Sequence, residues 1–295
     1  MTTATSNGQQ SHDEITIEPA TGDTGNAPKT RPNAFTELMS AAKKPKPTAE
    51  DVAPSSSLEK AKNAITGWDP RNGLGAYLDR PETNPEGRIV EFDDDFVVIR
   101  DKFPKASVHL LLIPRKPEYY HQHPLHAFSE DAAFLAQVRE RVQHVKRLAA
   151  SELRRQFGLL SASDAPYQAA LEDLMSSPSP PTPKQEAAMP SGRDWSSDIV
   201  AGLHTHPSMN HLHVHIFSRD MHSACMKHKK HYLSFNSTFL VQMDEFPLEK
   251  GSERFAPGNW HTWDMKCWRC GKNFGNKFAK LKLHIEEEFE AWKKE

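Results

Sequence analysis

The chain has 295 residues, 37% of them hydrophobic and 26% charged, with 22 prolines and a formal net charge of -2. That length holds one large or two modest domains beside sequence that does not pack, and the charge excludes a polycation as a whole. No apolar run approaches the about 20 residues of a membrane span, the start MTTATSNGQQSHDE has neither the basic nor the apolar part of a secretory signal, and three cysteines close no disulfide framework, which points to a reducing compartment.

Residues 1–60 are Thr, Ser, Asn, Gly, Pro and charge and read as a disordered tail with one interruption. Phe35, Leu38 and Met39 stand at helical spacing ahead of Lys43-Lys44-Pro45-Lys46. They form a candidate docking helix beside a basic nuclear-import signal, the alternative being a transient helix in a solvated tail. Ser56-Ser57-Leu58-Glu59 opens a second helix, with Leu58, Ala61 and Ile65 on one face. A folded domain is expected over 61–240 and a smaller module over 241–295.

Within that domain 87–92 and 96–100 read as a hairpin around Asp93-Asp94-Asp95, and 108–113 as a buried strand closed by Pro114. Apolar residues at steps of three to five predict a long amphipathic helix over 129–157. The stretch 161–195 contains SSPSPPTPKQEAAMPSG and reads as a flexible insertion. Strands follow at 199–203 and 211–217. This order predicts an α+β fold on an antiparallel sheet with flanking helices.

Asn210-His211-Leu212-His213-Val214-His215-Ile216-Phe217 alternates strictly. Side chains two apart share a strand face, so three imidazoles line one side while Leu212, Val214 and Ile216 enter the core. His204, His206 and Ser208 precede them across Pro207, close enough to return to that face. Such a group suits phosphate chemistry, in which a neutral imidazole attacks phosphorus and neighbours hold its oxygens. A zinc site on the strand and a purely structural strand are the alternatives. Cys225 has no oriented base beside it in sequence and is a weaker candidate nucleophile.

Near the end, Cys267-Trp268-Arg269-Cys270 precedes His284 by thirteen residues, close to a zinc-finger spacing. No histidine follows His284, so the fourth ligand comes from elsewhere. Glu288 lies one helical turn on, and a carboxylate oxygen is an acceptable zinc ligand. The expected structural Zn²⁺ site is therefore Cys267, Cys270, His284 and Glu288, with Glu287 and His261 as rivals and a metal-free helical hairpin as the alternative. Phe274, Phe278 and Leu281 would supply its small core. Between 201 and 282, Lys and Arg number 12 against 6 Asp and Glu, a local surplus that fits a polyanionic partner. Lys227, Lys229, Lys230, Lys272, Lys277, Lys280 and Lys282 could form one phosphate-tracking strip, or a solvated face.

The segment His211–Phe217 matches the histidine-triad (HIT) signature, His-φ-His-φ-His-φ-φ, of nucleotide hydrolases and transferases. Asp101-Lys102-Phe103-Pro104-Lys105 through His109 to Pro114 resembles the same superfamily's nucleotide-binding strand. Gly202-Leu203-His204, Pro207-Ser208-Met209, the run from Cys225 to Asn236 and the finger make the chain most similar to the aprataxin family of DNA 5′-adenylate hydrolases. The resemblance covers about 68–160 and 196–290. It implies a HIT fold with a C-terminal DNA-binding zinc finger, a DNA-repair role at single-strand breaks and a nuclear location. The substrate would be DNA with adenylated 5′ nicks or ends and the product AMP, with no catalytic metal and no membrane. Residues 1–60 are too short and polar for the forkhead-associated domain of animal members. By this resemblance His213 is the nucleophile. His204, His215, Ser208 and Lys227 surround the phosphates, with His204 a candidate proton donor to the leaving group, and His211 orients its neighbours. Asp101 binds the ribose, Leu74 and Phe103 the adenine, and Lys105 and His109 its polar edge. Lys229, Lys230, Lys272 and Lys277 meet DNA. The helix near Leu58 to Ile65 is the expected source of a wedge against the terminal base.

Overall fold

The computed structural model describes residues 69–295. The tail, its docking helix, the Lys43–Lys46 cluster and the Leu58–Ile65 helix lie outside the described residues.

The chain enters through a 3₁₀ helix, Pro70–Tyr77, capped by the Asp69 carboxylate accepting from the Arg71 N–H, with Pro70 in the first turn where its missing N–H costs nothing. β1 (Ile89–Phe92) and β2 (Phe96–Arg100) form the expected hairpin. Its turn is made by Asp93, whose Oδ1 accepts from the N–H groups of Asp95 at 2.9 Å and Phe96 at 2.8 Å. β3 (His109–Pro114) is buried along its whole length. The predicted helix is two: α1 (Pro124–Glu130) and α2 (Ala132–Phe157), broken at Asp131, whose carboxylate caps α2 by accepting from the Phe134 N–H at 2.9 Å. Phe134, Val138, Val142, Val145, Ala149 and Leu153 then recur every three or four residues along the buried face of α2.

β4 (Ile199–His204), β5 (Val214–Ser218) and β6 (Leu240–Gln242) complete a six-stranded antiparallel sheet in the order β1-β2-β3-β5-β4-β6. Regular pairing in the histidine segment starts only at Val214, yet the expected alternation holds: Leu212, Val214 and Ile216 join the core against α2. The opposite face carries two smaller clusters. Leu74, Tyr77 and Leu78 cover Val97, Ile99, Leu111 and Ile113. Tyr232, Leu233 and Phe235, from and after α5 (Lys229–Leu233), pack with Phe217 and the finger residues Met265, Leu281 and Ile285. The register pairs Leu111 with His215 and His109 with Phe217, so the imidazoles share this face with both clusters.

One expectation is corrected. The 161–195 stretch is anchored rather than flexible at its ends. It holds α3 (Ala165–Met175) and α4 (Pro183–Ala187), and fully buried Asp164 receives Trp195 Nε1 at 2.8 Å, the Arg193 N–H at 2.7 Å and Arg154 Nε at 3.2 Å. Only the Ser- and Pro-rich middle is exposed throughout. The finger expected after position 240 packs into the core of the domain before it. The finger comprises β7 (Met265–Lys266), β8 (Asn273–Gly275) and α6 (Phe278–Trp292), and Phe289 and Trp292 of α6 sit in the main core beside Phe157 and Trp195. Ala162 and Ser163 donate their N–H groups to the carbonyls of Lys294 and Glu295 at 3.0 and 2.8 Å, tying the insertion to the end of the finger helix.

Candidate active site

β5 lies between β3 and β4, and its register places His215 opposite Leu111 on one side and Gly202 on the other. Residues two apart on neighbouring strands follow, so His109, His204 and His215 gather on one face. His109, His211, His213 and His215 are buried and His204 is half-buried. Desolvation is the first cause of a lowered pKa in every one of them, and repulsion from neighbouring rings adds to it in His109, His204, His211 and His215. His109 falls to about 4 and His204 to about 3. These rings are neutral at neutral pH.

Hydrogen bonds then fix which nitrogen of each ring holds the proton. His213 Nδ1 lies 2.7 Å from the His211 carbonyl oxygen. A carbonyl only accepts, so Nδ1 donates and the lone pair is left on Nε2. The Lys105 backbone N–H donates to His109 Nδ1 at 3.1 Å, which puts the His109 proton on Nε2. That nitrogen is 3.0 Å from His215 Nδ1, so the His215 proton sits on Nε2. Asp101 Oδ2 stands 3.5 Å from His109 Nε2 and opposes the fall in its pKa. Among the described residues, seven buried side-chain N or O atoms lack a partner, and three belong to this group: His204 Nε2, His211 Nδ1 and His215 Nε2. An unpaired buried polar atom costs about 1–3 kcal/mol, so their concentration here marks a site built for a polar ligand.

The remaining predicted residues are placed as follows. His211 packs near Tyr120, His121 and Gly75, where a Cβ would come within 3.0 Å of its Cε1; it serves His213 through its carbonyl. Asp101 Oδ1 accepts from the Phe103 N–H at 2.7 Å, which is the turn-capping role, while Oδ2 faces His109. Phe103 is 61% exposed, free to stack, whereas Leu74 is sunk in the cluster with Tyr77. Lys105 has its pKa lowered by burial, and its charge acts on His109, His204 and His215. Ser208 is exposed on the loop before the triad and its carbonyl accepts from Arg71 Nε at 3.4 Å. Lys227 is exposed on the turn before α5. Phe235 packs edge-on against His109 and His215 and against His204, a contact with the site that the sequence alone does not assign.

Among the surface lysines, Lys230, Lys272 and Lys277 are exposed. Lys229 differs in being half-buried. Its ammonium donates to the Thr262 carbonyl at 3.2 Å and to Asn276 Oδ1, so it fastens α5 to the finger.

The finger's ligand atoms converge. Cys267, Cys270, His284 and Glu288 each offer a donor within 4.8 Å of the others; Cys270 Sγ is 3.1 Å and Glu288 Oε1 3.2 Å from His284 Nε2. Two thiols, an imidazole and a carboxylate are a zinc donor set. Gly271, at φ +74°, permits the tight turn after Cys270, in which its N–H donates to the Cys267 carbonyl. Arg269 holds the second oxygen of Glu288 at 2.5 Å, an outer partner that aims the carboxylate. The rivals stand apart: the Glu287 side chain is 81% exposed and His261 is outside the group. Asp101, His109 and His215 also bring donors together, but there the facing nitrogens of the two imidazoles already bond each other.

Residues 82–222 match the HIT domain family and 236–291 the C2HE / C2H2 / C2HC zinc-binding finger. An aprataxin-like protein of Schizosaccharomyces pombe is 31% identical over 261 residues, 88% of this chain and 94% of the relative. One from Saccharomyces cerevisiae is 31% identical over 229 residues, 75% of this chain and 96% of the relative. A crystal structure of an aprataxin orthologue in complex with DNA superposes with a TM-score of 0.59 at 32% identity, covering 76% of this chain and 96% of that one. The chain belongs to the aprataxin family, DNA-repair hydrolases that join a histidine-triad domain to a zinc-binding finger.

Proposed function

We propose that the protein removes AMP from adenylated 5′ ends of DNA, the products of abortive ligation, through a covalent adenylyl-His213 intermediate. The observation that carries this reading is the His213 ring, neutral by burial, with Nδ1 donating to the His211 carbonyl and the Nε2 lone pair free. Nε2 attacks the AMP phosphorus, and the bond to the DNA 5′-phosphate breaks with its electron pair on the departing oxygen. A phosphate is a weakly basic leaving group, so positioning and charge matter more than proton donation. His215, its Nε2–H unpartnered and aimed by the Lys105–His109 relay, donates to a phosphoryl oxygen, and the Lys105 ammonium offsets the growing charge. His204 suits a different role from proton donor. Burial holds its pKa at about 3 in the empty site, so it starts without a second proton, and the phosphoryl charge of the substrate restores the basicity a proton acceptor needs. With its other nitrogen toward the Ser234 carbonyl, its Nε2 lone pair can take the proton of the water that hydrolyses the intermediate.

Asp101 and Phe103 would take the ribose and adenine, and Ser208 and Lys227 the phosphates. The finger's Cys267, Cys270, His284 and Glu288 hold zinc, which fixes the β7–β8 turn to α6 and supplies no chemistry to the triad. Exposed Lys230, Lys272 and Lys277 would meet the duplex, consistent with the relative solved with DNA. The same reading puts the protein in the nucleus, with Lys43-Lys44-Pro45-Lys46 as the import signal. Incubation with 5′-adenylated nicked duplex and with diadenosine polyphosphate, in EDTA and at short times, tests it. Rapid AMP release from the DNA alone is expected; slow DNA turnover beside fast dinucleotide cleavage would make the enzyme a general hydrolase of small nucleotides instead.

A further inference from the structure

The sequence has 16 histidines, and the site above uses five. A second set lies across the loop that precedes the triad. His121 and His123, on the approach to α1, face His206 over a cleft of about 570 Å³ completed by Arg71, Gln122 and Asn210. The His123 ring is 6.3 Å from that of His206 and 5.5 Å from that of His126. No carboxylate lines the cleft. The nearest acids are already engaged: Asp69 accepts from the Arg71 N–H at 2.9 Å and Asn210 Nδ2 at 3.0 Å, and Glu130 pairs with His126 at 3.0 Å. Asp79 acts on His211, and His211 in turn lies 5.4 Å from His121. Arg71 is the one permanent cation lining it, and Ser208, whose carbonyl Arg71 touches, follows His206 by two positions.

His123 sets how the cleft responds to protons. The Thr205 carbonyl opposes the fall in the His123 pKa, and once the ring takes up a proton both of its nitrogens are donors. Burial, then His126 and His206, hold its pKa below the ordinary histidine value. A phosphate in the cleft supplies the missing counter-charge and draws the proton on.

We propose that this cleft is a second phosphate subsite, taking a phosphodiester of the nucleic-acid strand held at the triad and gripping it more tightly as pH falls. The proposal rests on the reading of the chain as acting on DNA ends. A phosphodiester fits better than a carboxylate ligand because the lining offers one guanidinium and several separate imidazoles, donors that can surround a tetrahedral anion. Its position beside the Pro207–Asn210 loop puts it next to the strand rather than at a remote surface.

The test uses the full chain and a nicked duplex bearing a plain 5′-phosphate, so that no chemistry intervenes, with affinity followed by fluorescence anisotropy in a salt series at pH 6 and at pH 8. Each added phosphate contact steepens the dependence of log K on log salt by about 0.9. The wild-type slope should be steeper at pH 6 by about one such contact. His123→Gln with His206→Gln should remove that difference and leave affinity at pH 8 within about twofold. Hydrolysis of adenosine 5′-phosphoramidate by the same variant should be unchanged, which shows that fold and triad are intact. A variant that keeps the wild-type difference, or a wild type with none, overturns the proposal. Inorganic phosphate that stabilises the wild type alone at pH 6, with the DNA slope unaffected by the substitutions, would make this a free-phosphate site and also overturn it. Loss of DNA binding by the wild type at both pH values, with the small substrate still cleaved, would instead defeat the reading on which the proposal stands.

Discussion

The histidine site and the finger bring polar groups together by opposite means. In the site, β3, β4 and β5 fix His109, His204 and His215 by register, the segment leading into β5 adds His211 and His213, burial keeps the rings neutral, and three ring nitrogens are left without partners. In the finger, two strands of two and three residues cannot hold a fold alone, and four side chains from β7–β8 and α6 converge on one point. The first arrangement spends stability on unsatisfied groups that a phosphate can satisfy; the second gains stability from its ligand. The two are nevertheless not independent, because α6 carries Leu281 and Ile285 against Phe217 and Met226 on the sheet's histidine face, and Phe289 and Trp292 into the core on the other.

The sharpest contrast is expected from His213→Ala. Turnover of adenylated DNA should fall by about 10³-fold or more, the size seen when a covalent nucleophile is removed, while affinity for nicked duplex changes little. A parallel loss of affinity would give the ring a folding role. Trp292→Ala should destabilise the whole chain by about 3–5 kcal/mol, as large core truncations do, in a single unfolding transition by denaturant. Two transitions, with only the finger affected, would make the finger a unit that unfolds on its own. Cys270→Ala, or removal of zinc by a strong chelator, should weaken DNA binding more than it slows hydrolysis of adenosine 5′-phosphoramidate, and equal damage to both would erase the division between the regions. The smallest effect concerns pH. His109 and His204 have folded pKa values of about 4 and about 3 against 6.5 in the unfolded chain. Unfolding therefore takes up protons below pH 6.5, and stability falls as pH drops from there toward 4, by roughly 1 kcal/mol per unit for each ring. His109→Gln should flatten that slope in urea titrations without adding a new one at higher pH.

What could be read from the residues follows from what each feature depends on. The alternation over His211–Phe217 survives because a period of two is local, and it placed both the imidazoles and their apolar partners. The ligand set Cys267, Cys270, His284 and Glu288 was legible because a turn and one helix face determine it. The proton positions were not, since they depend on the Lys105 N–H and on a carbonyl two residues before His213, neither visible in side-chain pattern. The insertion misled because its Ser- and Pro-rich middle signals disorder while single residues, Asp164 and Trp195, fix its ends across the fold. For Lys229 the sequence shows a lysine among lysines, and only the fold brings Thr262 and Asn276 to it. Nothing in the sequence at the end of α6 shows that Trp292 finds Trp195.

The most direct measurement stops the enzyme in acid-free quench during turnover of 5′-adenylated nicked DNA and maps AMP on the protein by peptide mass spectrometry. The account predicts AMP joined to the peptide containing His213, with fragment ions placing it on that residue and no such adduct in His213→Ala. Continued AMP release with no nucleotidyl adduct, or with the adduct on another residue, would contradict it.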